Sequence, residues 1–416
     1  MSIKFRLIIL NFLQFFIWGS YLTSFGDYMY GTLHFQGQDI GWVFMTLGIA
    51  SLFMPTLLGI VADRWLNAER VLGLSHLFGA AFLWWTSTIT DPNTMFWGML
   101  LVSMAYMPTI ALNNTVSYIV LTKKGFDTQK HFPPIRVWGT IGFIAAMWFV
   151  DIMHWSINSN QLKVASITSL IMGFYSFTIS SCPPAGAHVK RSLSASLGLD
   201  AFVLFKKRKM TVFFLFAMCL GAALQVTNQW GVSFIRHFEG IAEYKDTLSV
   251  KYPNILVSIS QISETLFILT IPFFLKKFGI KRVMLISMFA WVLRFGLFGI
   301  GNPGTGLMLL ILSMIVYGMA FDFFNISGSL FVEKEADIQI RASAQGLFML
   351  MTNGIGAIIG SYASGWVVQH YTKNEITDWS TIWFCFAGYA LVLAIIFPFV
   401  FKYKHDPTQI SVEATH

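Results

Sequence analysis

Charge is scarce in this chain. Asp, Glu, Lys and Arg make up 12% of its 416 residues, about half the roughly 25% of a soluble domain. An ordinary water-soluble globule is excluded. Cysteine is also scarce. Cys182, Cys219 and Cys385 are odd in number and widely spaced, so they form neither a disulfide framework nor a metal site; they read as small buried hydrophobes. No HExxH, GxSxG or DDxxD run occurs, and no glycine loop that would cradle a phosphate. A membrane enzyme therefore has nothing to work with, and neither a metal nor a cofactor is expected. Alternating strands of about ten residues are missing too, against an outer-membrane barrel. The apolar run near the start follows two positive charges, but it is too long for a signal peptide and lacks a small-x-small cleavage site. It is expected to be retained as a first span.

What is present is apolar length. The chain is 55% hydrophobic and 16% aromatic, with a mean hydropathy of +0.63. Runs longer than about 18 residues recur throughout, which is the helical spanning length. They predict an all-α polytopic membrane protein with twelve spans, near 7–30, 40–62, 70–89, 94–119, 132–154, 162–181, 211–236, 253–275, 282–300, 305–331, 342–370 and 379–402. The longest connection, 182–210, is basic and divides the chain into halves at 1–181 and 211–416. The net charge of +8 suggests no nucleic acid, because it is spread over short loops. Placing the N-terminus in the cytoplasm puts 22 of the 28 lysines and arginines on the inner side. Five fall outside (Lys163, Arg236, Lys245, Lys251 and Lys373), and Arg294 lies inside the ninth span. That bias predicts cytoplasmic termini and an even number of spans in a bilayer.

Two six-span halves around a basic loop match the layout of the major facilitator superfamily, whose halves are related repeats. The second span ends Gly59-Ile60-Val61-Ala62-Asp63-Arg64, which resembles that superfamily's G-x-x-x-D-R. The further glycine and basic pair that usually follow are missing. Asp63 and Arg64 are read as a gate. Asp63 would cap a helix N-terminus and Arg64 would form an ion pair; otherwise the two only mark a membrane border. The repeat of this loop at 276–282 is basic and carries Gly279.

Polar residues inside the spans fall at helical spacing. Arg136, Thr140 and Phe143 follow i, i+4, i+7. Gln225 and Asn228 share a face, as do Gln261 and Glu264. Tyr317, Phe321 and Asp322 lie mid-span, with Asn325 a turn on. An ionised acid at a span centre costs about 2.5–3.5 kcal/mol on insertion scales, so Glu264 and Asp322 are expected to be functional and to carry protons. The plainer readings are helix glue for the amides and snorkelling for Arg136. Arg294 reads as a structural partner of an acid, Asp27 as a solvated border residue and His76 as a satisfied core residue. Amides, carboxylates and aromatic faces suit a sugar or a nucleoside equally.

The stretches FLQFFIWGSYLT (12–23), FPPIRVWGTIGFI (132–144), SISQISETLFILTIPFFLKKFGIK (258–281), LSMIVYGMAFDFFNISGS (312–329) and IRASAQGLFMLMTNG (340–354) resemble the bacterial nucleoside:proton symporters of the same superfamily. The likeness runs along nearly the whole chain. It implies proton-driven uptake of purine or pyrimidine nucleosides across the inner membrane by a monomer. It also implies substrate contacts at Arg136, Thr140, Phe143, Gln225, Asn228, Gln261, Glu264, Tyr317 and Phe321. Proton coupling would fall to Asp322 and Glu264. The residues after Asn228 depart from the family pattern and leave the preferred base open.

Overall fold

The computed structural model describes residues 2–184 and 199–403. Lys190 and Arg191 of the basic loop, and the tail beyond residue 403, lie outside the described residues. The chain is built almost wholly of helices. In chain order the main ones are α1 (Ile3–Gly19), α2 (Gly37–Arg64), α3 (Ala68–Thr86), α4 (Pro92–Lys123), α5 (Thr128–Ile152), α6 (Asn160–Phe177), α7 (Arg208–Arg236), α8 (Ile259–Ile268), α9 (Ile271–Ile300), α10 (Leu307–Glu335), α11 (Arg341–Met349), α12 (Ala357–His370) and α13 (Trp379–Val400).

Among the described residues, eight helices are long and apolar enough to span a bilayer. The other expected spans fall short for physical reasons. α1 has 17 residues and ends at Gly19, where the chain turns before Phe25–Asp27. α3 and α6 are diluted by buried polar groups, including Ser75 and His76 on one and Gln161, Ser166 and Ser169 on the other. The stretch expected as one span at 253–275 is three pieces: Pro253–Val257, α8 and the start of α9. Pro272 explains the second break, because its ring has no N–H to donate and crowds the carbonyl four residues back. α9 in turn bends at Gly279, whose φ of 76° is open to glycine without strain. The expected span 342–370 contains a π-helical stretch, Leu350–Gly356, between α11 and α12. A two-stranded hairpin, Thr372–Lys373 with Ile376–Thr377, follows α12. Asn374 and Glu375 both have positive φ, as a type I′ turn needs.

The chain divides into two compact units. The first holds residues 2–184 with Asn228–Ser233 and Ser361–Trp366; the second holds 199–227, Phe234–Gly360 and 367–403. In the first, α1 packs on α5, α2 on α4, and α3 on α6. The α1–α5 seam is a backbone contact. A Cβ on Gly19 would lie 2.4 Å from the Phe143 carbonyl oxygen, and one on Gly142 would lie 2.3 Å from that of Phe12. In the second unit, α8 packs on α10 and α9 on α13. There a Cβ on Gly221 of α7 would meet the Thr352 carbonyl at 2.2 Å, so α7 lies directly on the π-helical stretch. Ion pairs Lys209–Glu335 (2.6 Å) and Arg341–Glu333 (2.7 Å) join the ends of α7, α10 and α11. Half-buried at the helix ends, such pairs contribute modestly.

The first unit's core holds a polar network. Gln14 Nε2 donates to Thr109 Oγ1 at 2.8 Å, and Gln14 Oε1 faces His76 Nε2 at 2.9 Å. His76 Nδ1 meets Ser169 Oγ at 3.1 Å, and the Tyr106 hydroxyl donates to the Gln14 carbonyl at 2.7 Å. His76 is thus a satisfied core residue, 1% exposed. Asp27 departs from expectation. It is 3% exposed, because the turn after α1 folds inward instead of ending at a wet border. The cysteines divide: Cys182 is buried, Cys219 half-buried and Cys385 exposed. α13 turns Cys385 outward, so it is not a core residue.

Candidate functional site

In the first unit the site residues ride on α5. Its glycines let it close on α1, and one of them makes room for the arginine. A Cβ on Gly139 would lie 2.6 Å from Phe15 Cδ2 and 2.7 Å from Arg136 Nη1. With only hydrogen there, the half-buried Arg136 guanidinium lies 4.0 Å from the centre of the Phe15 ring. A cation over an aromatic face is stabilised by about 0.5–2 kcal/mol, more as water is withdrawn. Thr140 is half-buried a turn on, and Phe143 is buried. Trp18 meets Phe143 edge-on at 6.3 Å and Tyr106 at 5.6 Å. The aromatic wall behind Phe143 is therefore set by the Gln14–Tyr106 hydrogen bond. Asn228, half-buried on α7, groups with this unit. The next residue, Gln229, is fully buried and accepts a hydrogen bond from Ser364 Oγ at 3.2 Å.

Sequence reasoning passed over α1. Trp18 Nε1 and the Tyr21 hydroxyl are buried donors with no hydrogen-bond partner among the described residues. The signal was there: Gln14, Trp18 and Tyr21 fall at i, i+4, i+7, a polar-tipped stripe in an apolar run. It was masked because Trp and Tyr count as apolar in hydropathy.

In the second unit Gln225 on α7 is buried and Gln261 on α8 is half-buried. Each has an Oε1 with no partner among the described residues. Unpaired amide oxygens cost free energy in an apolar interior unless something else meets them. On α10 the rings of Tyr317 and Phe321 stack, with centroids 6.1 Å apart and planes 10° from parallel. Trp291 of α9 meets Tyr317 edge-on at 5.9 Å. Asp322 is 4% exposed and its Oδ2 has no hydrogen-bond partner among the described residues. Glu264 on α8 is half-buried, and its field reaches Asp322. The helices that carry the two acids, α8 and α10, pack directly on each other. A recess lined by Gly221, Leu224, Phe321, Asn325 and Asn353 opens beside the stacked rings. It brings the turn of α7 next to Gln225 together with the face of Phe321. Asn353 comes from the π-helical stretch, a deformation often found at functional positions. Asp63 and Arg64 close α2, and both side chains are exposed.

Long apolar helices that bury amides, an acid pair and aromatic faces define a multi-pass membrane transporter. The chain belongs to the nucleoside H+ symporter family, whose model matches residues 1–406. It is 56% identical over 418 residues to a xanthosine permease of Escherichia coli K12, covering 100% of both chains. It is 53% identical over 406 residues to the nucleoside permease NupG of the same organism, covering 97% of each. A crystal structure of nucleoside transporter NupG superposes with a TM-score of 0.92 at 53% identity, over 97% of this chain and 100% of that one. A peptide transporter of the POT family in complex with a thioalcohol-conjugated peptide superposes with a TM-score of 0.70 at 12% identity, over 96% of each chain. That last likeness is one of fold alone.

Proposed function

We infer that the chain takes nucleosides into the cell together with protons, by alternating access across the inner membrane. One observation carries the reading. A buried carboxylate, Asp322, keeps an oxygen without a hydrogen-bond partner among the described residues, in a chain of the nucleoside H+ symporter family. An acid in that setting is stable only if it can be neutralised, which is what a proton carrier requires. The sugar reading is not favoured, since the relatives at 53% identity and above are named for nucleosides.

In this reading Arg136, Gln225, Asn228 and Gln261 hold ribose hydroxyls and base edges. Phe143 or Phe321 stacks the base, and Thr140, Tyr317 and Glu264 complete the contacts. Asp322, with Glu264, takes the proton, while Asp63 and Arg64 serve as a gate. One charge moving down about 150 mV releases about 3.5 kcal/mol, enough for roughly few-hundred-fold accumulation. Twelve spans in two related halves, 1–181 and 211–416 around the loop 182–210, are part of the proposal. The pairing of α2 with α4 and α3 with α6 in the first unit, and of α8 with α10 and α9 with α13 in the second, supports such a repeat. So do the backbone contacts of α1 with α5 and of α7 with the stretch at 350–356. The carrier is taken to work as a monomer with both termini cytoplasmic.

The test is Asp322→Asn in proteoliposomes. Uphill uridine uptake driven by an inward pH gradient should be abolished, while exchange of labelled for unlabelled uridine persists. Undiminished proton-driven accumulation would remove Asp322 from the coupling role.

A further inference from the structure

Two asparagines in the second unit have no part in the reading above. Asn325 lies well inside α10, one turn beyond Phe321, and Asn353 lies in the π-helical stretch Leu350–Gly356. Both are half-buried, and both line the recess that Leu224, Trp291 and Phe321 share. Asn325 has no hydrogen-bond partner among the described residues. Asn353 Nδ2 reaches only the thioether of Met349, at 3.9 Å. Their neighbours show what helix glue looks like here. Ser329 Oγ, a turn further along α10, donates to Gln345 Oε1 at 3.1 Å, and Gln345 Nε2 donates to the Ser329 carbonyl at 2.8 Å. Thr352, beside Asn353, donates to the Phe348 carbonyl at 3.0 Å. The two asparagines serve no such purpose. An amide at this depth that no protein group answers cannot face hydrocarbon. It must meet water or a polar ligand.

The recess is built, not incidental. A Cβ on Gly221 would lie 2.2 Å from the Thr352 carbonyl oxygen, one on Gly356 would lie 2.4 Å from that of Met218, and one on Gly360 would lie 2.4 Å from that of Ala222. These close approaches seat α7 on the chain from 352 to 360, so backbone packing presents Asn353. Asn325 is presented by α10, which packs along α9. The lining then selects a ligand. Leu224, Trp291 and Phe321 offer apolar and aromatic surface, and the amides offer donors and acceptors at its border. A flat ring with a polar edge matches that pattern. A ribose, with hydroxyls around it, does not. The recess is too small to enclose a nucleoside, so it takes one edge of the base while the ring lies against Phe321.

We propose that Asn325 and Asn353 are specificity-determining residues that read the polar edge of the nucleobase. An amide accepts from an exocyclic amine or donates to a keto oxygen, according to which way it is turned. No protein hydrogen bond to oxygen or nitrogen fixes the turn of either amide among the described residues. The carrier therefore takes amino and keto bases alike and rejects a base that has neither group. The inference rests on the nucleoside reading and deepens it.

The experiment is counterflow of labelled uridine in proteoliposomes at equal pH. The competitors are cytidine and adenosine, and the two ribosides that lack their exocyclic amine, pyrimidin-2-one riboside and purine riboside. In the wild type each bare riboside should compete about ten-fold more weakly than its amino parent, in whichever series the carrier takes. Asn325→Leu and Asn353→Leu keep the bulk and remove the polar edge. In each, that ratio should fall to about two-fold or less, while the ratio of cytidine to 2′-deoxycytidine stays at its wild-type value. A base ratio unchanged in both variants would overturn the proposal. So would a change in the deoxycytidine ratio alone, because the amides would then face the sugar. If the base ratio falls in one variant only, that residue reads the edge and the other is struck out. Should neither variant fold, the wild type still decides: bare ribosides that compete as well as their parents would overturn the idea. A wild type without uridine counterflow would remove the nucleoside reading itself, whereas counterflow with an unchanged base ratio in both variants removes only this inference.

Discussion

Arg136 is held on α5 by a glycine a turn away and by the ring of Phe15. Its guanidinium is therefore organised without a ligand, so that in the proposed role a nucleoside need not order it. Arg136→Ala should weaken uridine binding in detergent about ten- to hundred-fold by calorimetry, as loss of a charged hydrogen-bond donor would. Wild-type affinity would favour a guanidinium that only anchors α5. Residues of this kind were legible in the sequence because helical spacing puts Arg136, Thr140 and Phe143 on one stripe. Arg294 was not. Its place inside a span announces a cost, but only the fold reveals that aromatic rings and not a carboxylate surround it. Asp27 was misjudged for a related reason. Its border position assumed a helix running on to residue 30, whereas α1 ends at Gly19.

At the scale of elements, glycine decides which helices touch by backbone. Gly142→Ala would set a Cβ 2.3 Å from the Phe12 carbonyl, which α1 can relieve only by moving away. A loss of about 1–3 kcal/mol is expected, read as a lower unfolding midpoint in detergent. Gly296→Ala is the control. Nothing lies within 4 Å of its Cβ position, and in a helix interior the change should be neutral or slightly stabilising. A Gly142 variant as stable as that control would show that the α1–α5 seam has slack. Apolar length located the elements well and their interruptions poorly. Pro272 was visible inside the expected eighth span, but the surrounding hydropathy concealed the break. The π-helical stretch has no comparable marker in the sequence; what the structure adds is the close approach of Gly221 on α7 to its Thr352 carbonyl.

At the scale of the whole molecule, the lysine and arginine bias predicts both ends of the chain on the same side. A fluorescent protein fused after His416 should fold and fluoresce in the cytoplasm; a dark fusion with normal expression would reverse the topology. The basic loop predicts a division into two halves. The regrouping of Asn228–Ser233 and Ser361–Trp366 with the first unit was not legible, because it depends on contacts far apart in sequence. Within that unit the His76 network has a consequence of its own. Thr109 donates its hydroxyl proton to the Tyr106 carbonyl at 2.6 Å, so it must accept from Gln14, whose oxygen then faces Nε2 of the imidazole. Nε2 then donates to Gln14 Oε1, and the one proton of the Ser169 hydroxyl, which also reaches the His76 carbonyl at 2.9 Å, serves both that carbonyl and Nδ1. Four helices, α1, α3, α4 and α6, are thereby tied into one hydrogen-bond network. Sliding any one past the others would strand buried polar atoms on the remaining three, a cost that opposes shear within this bundle.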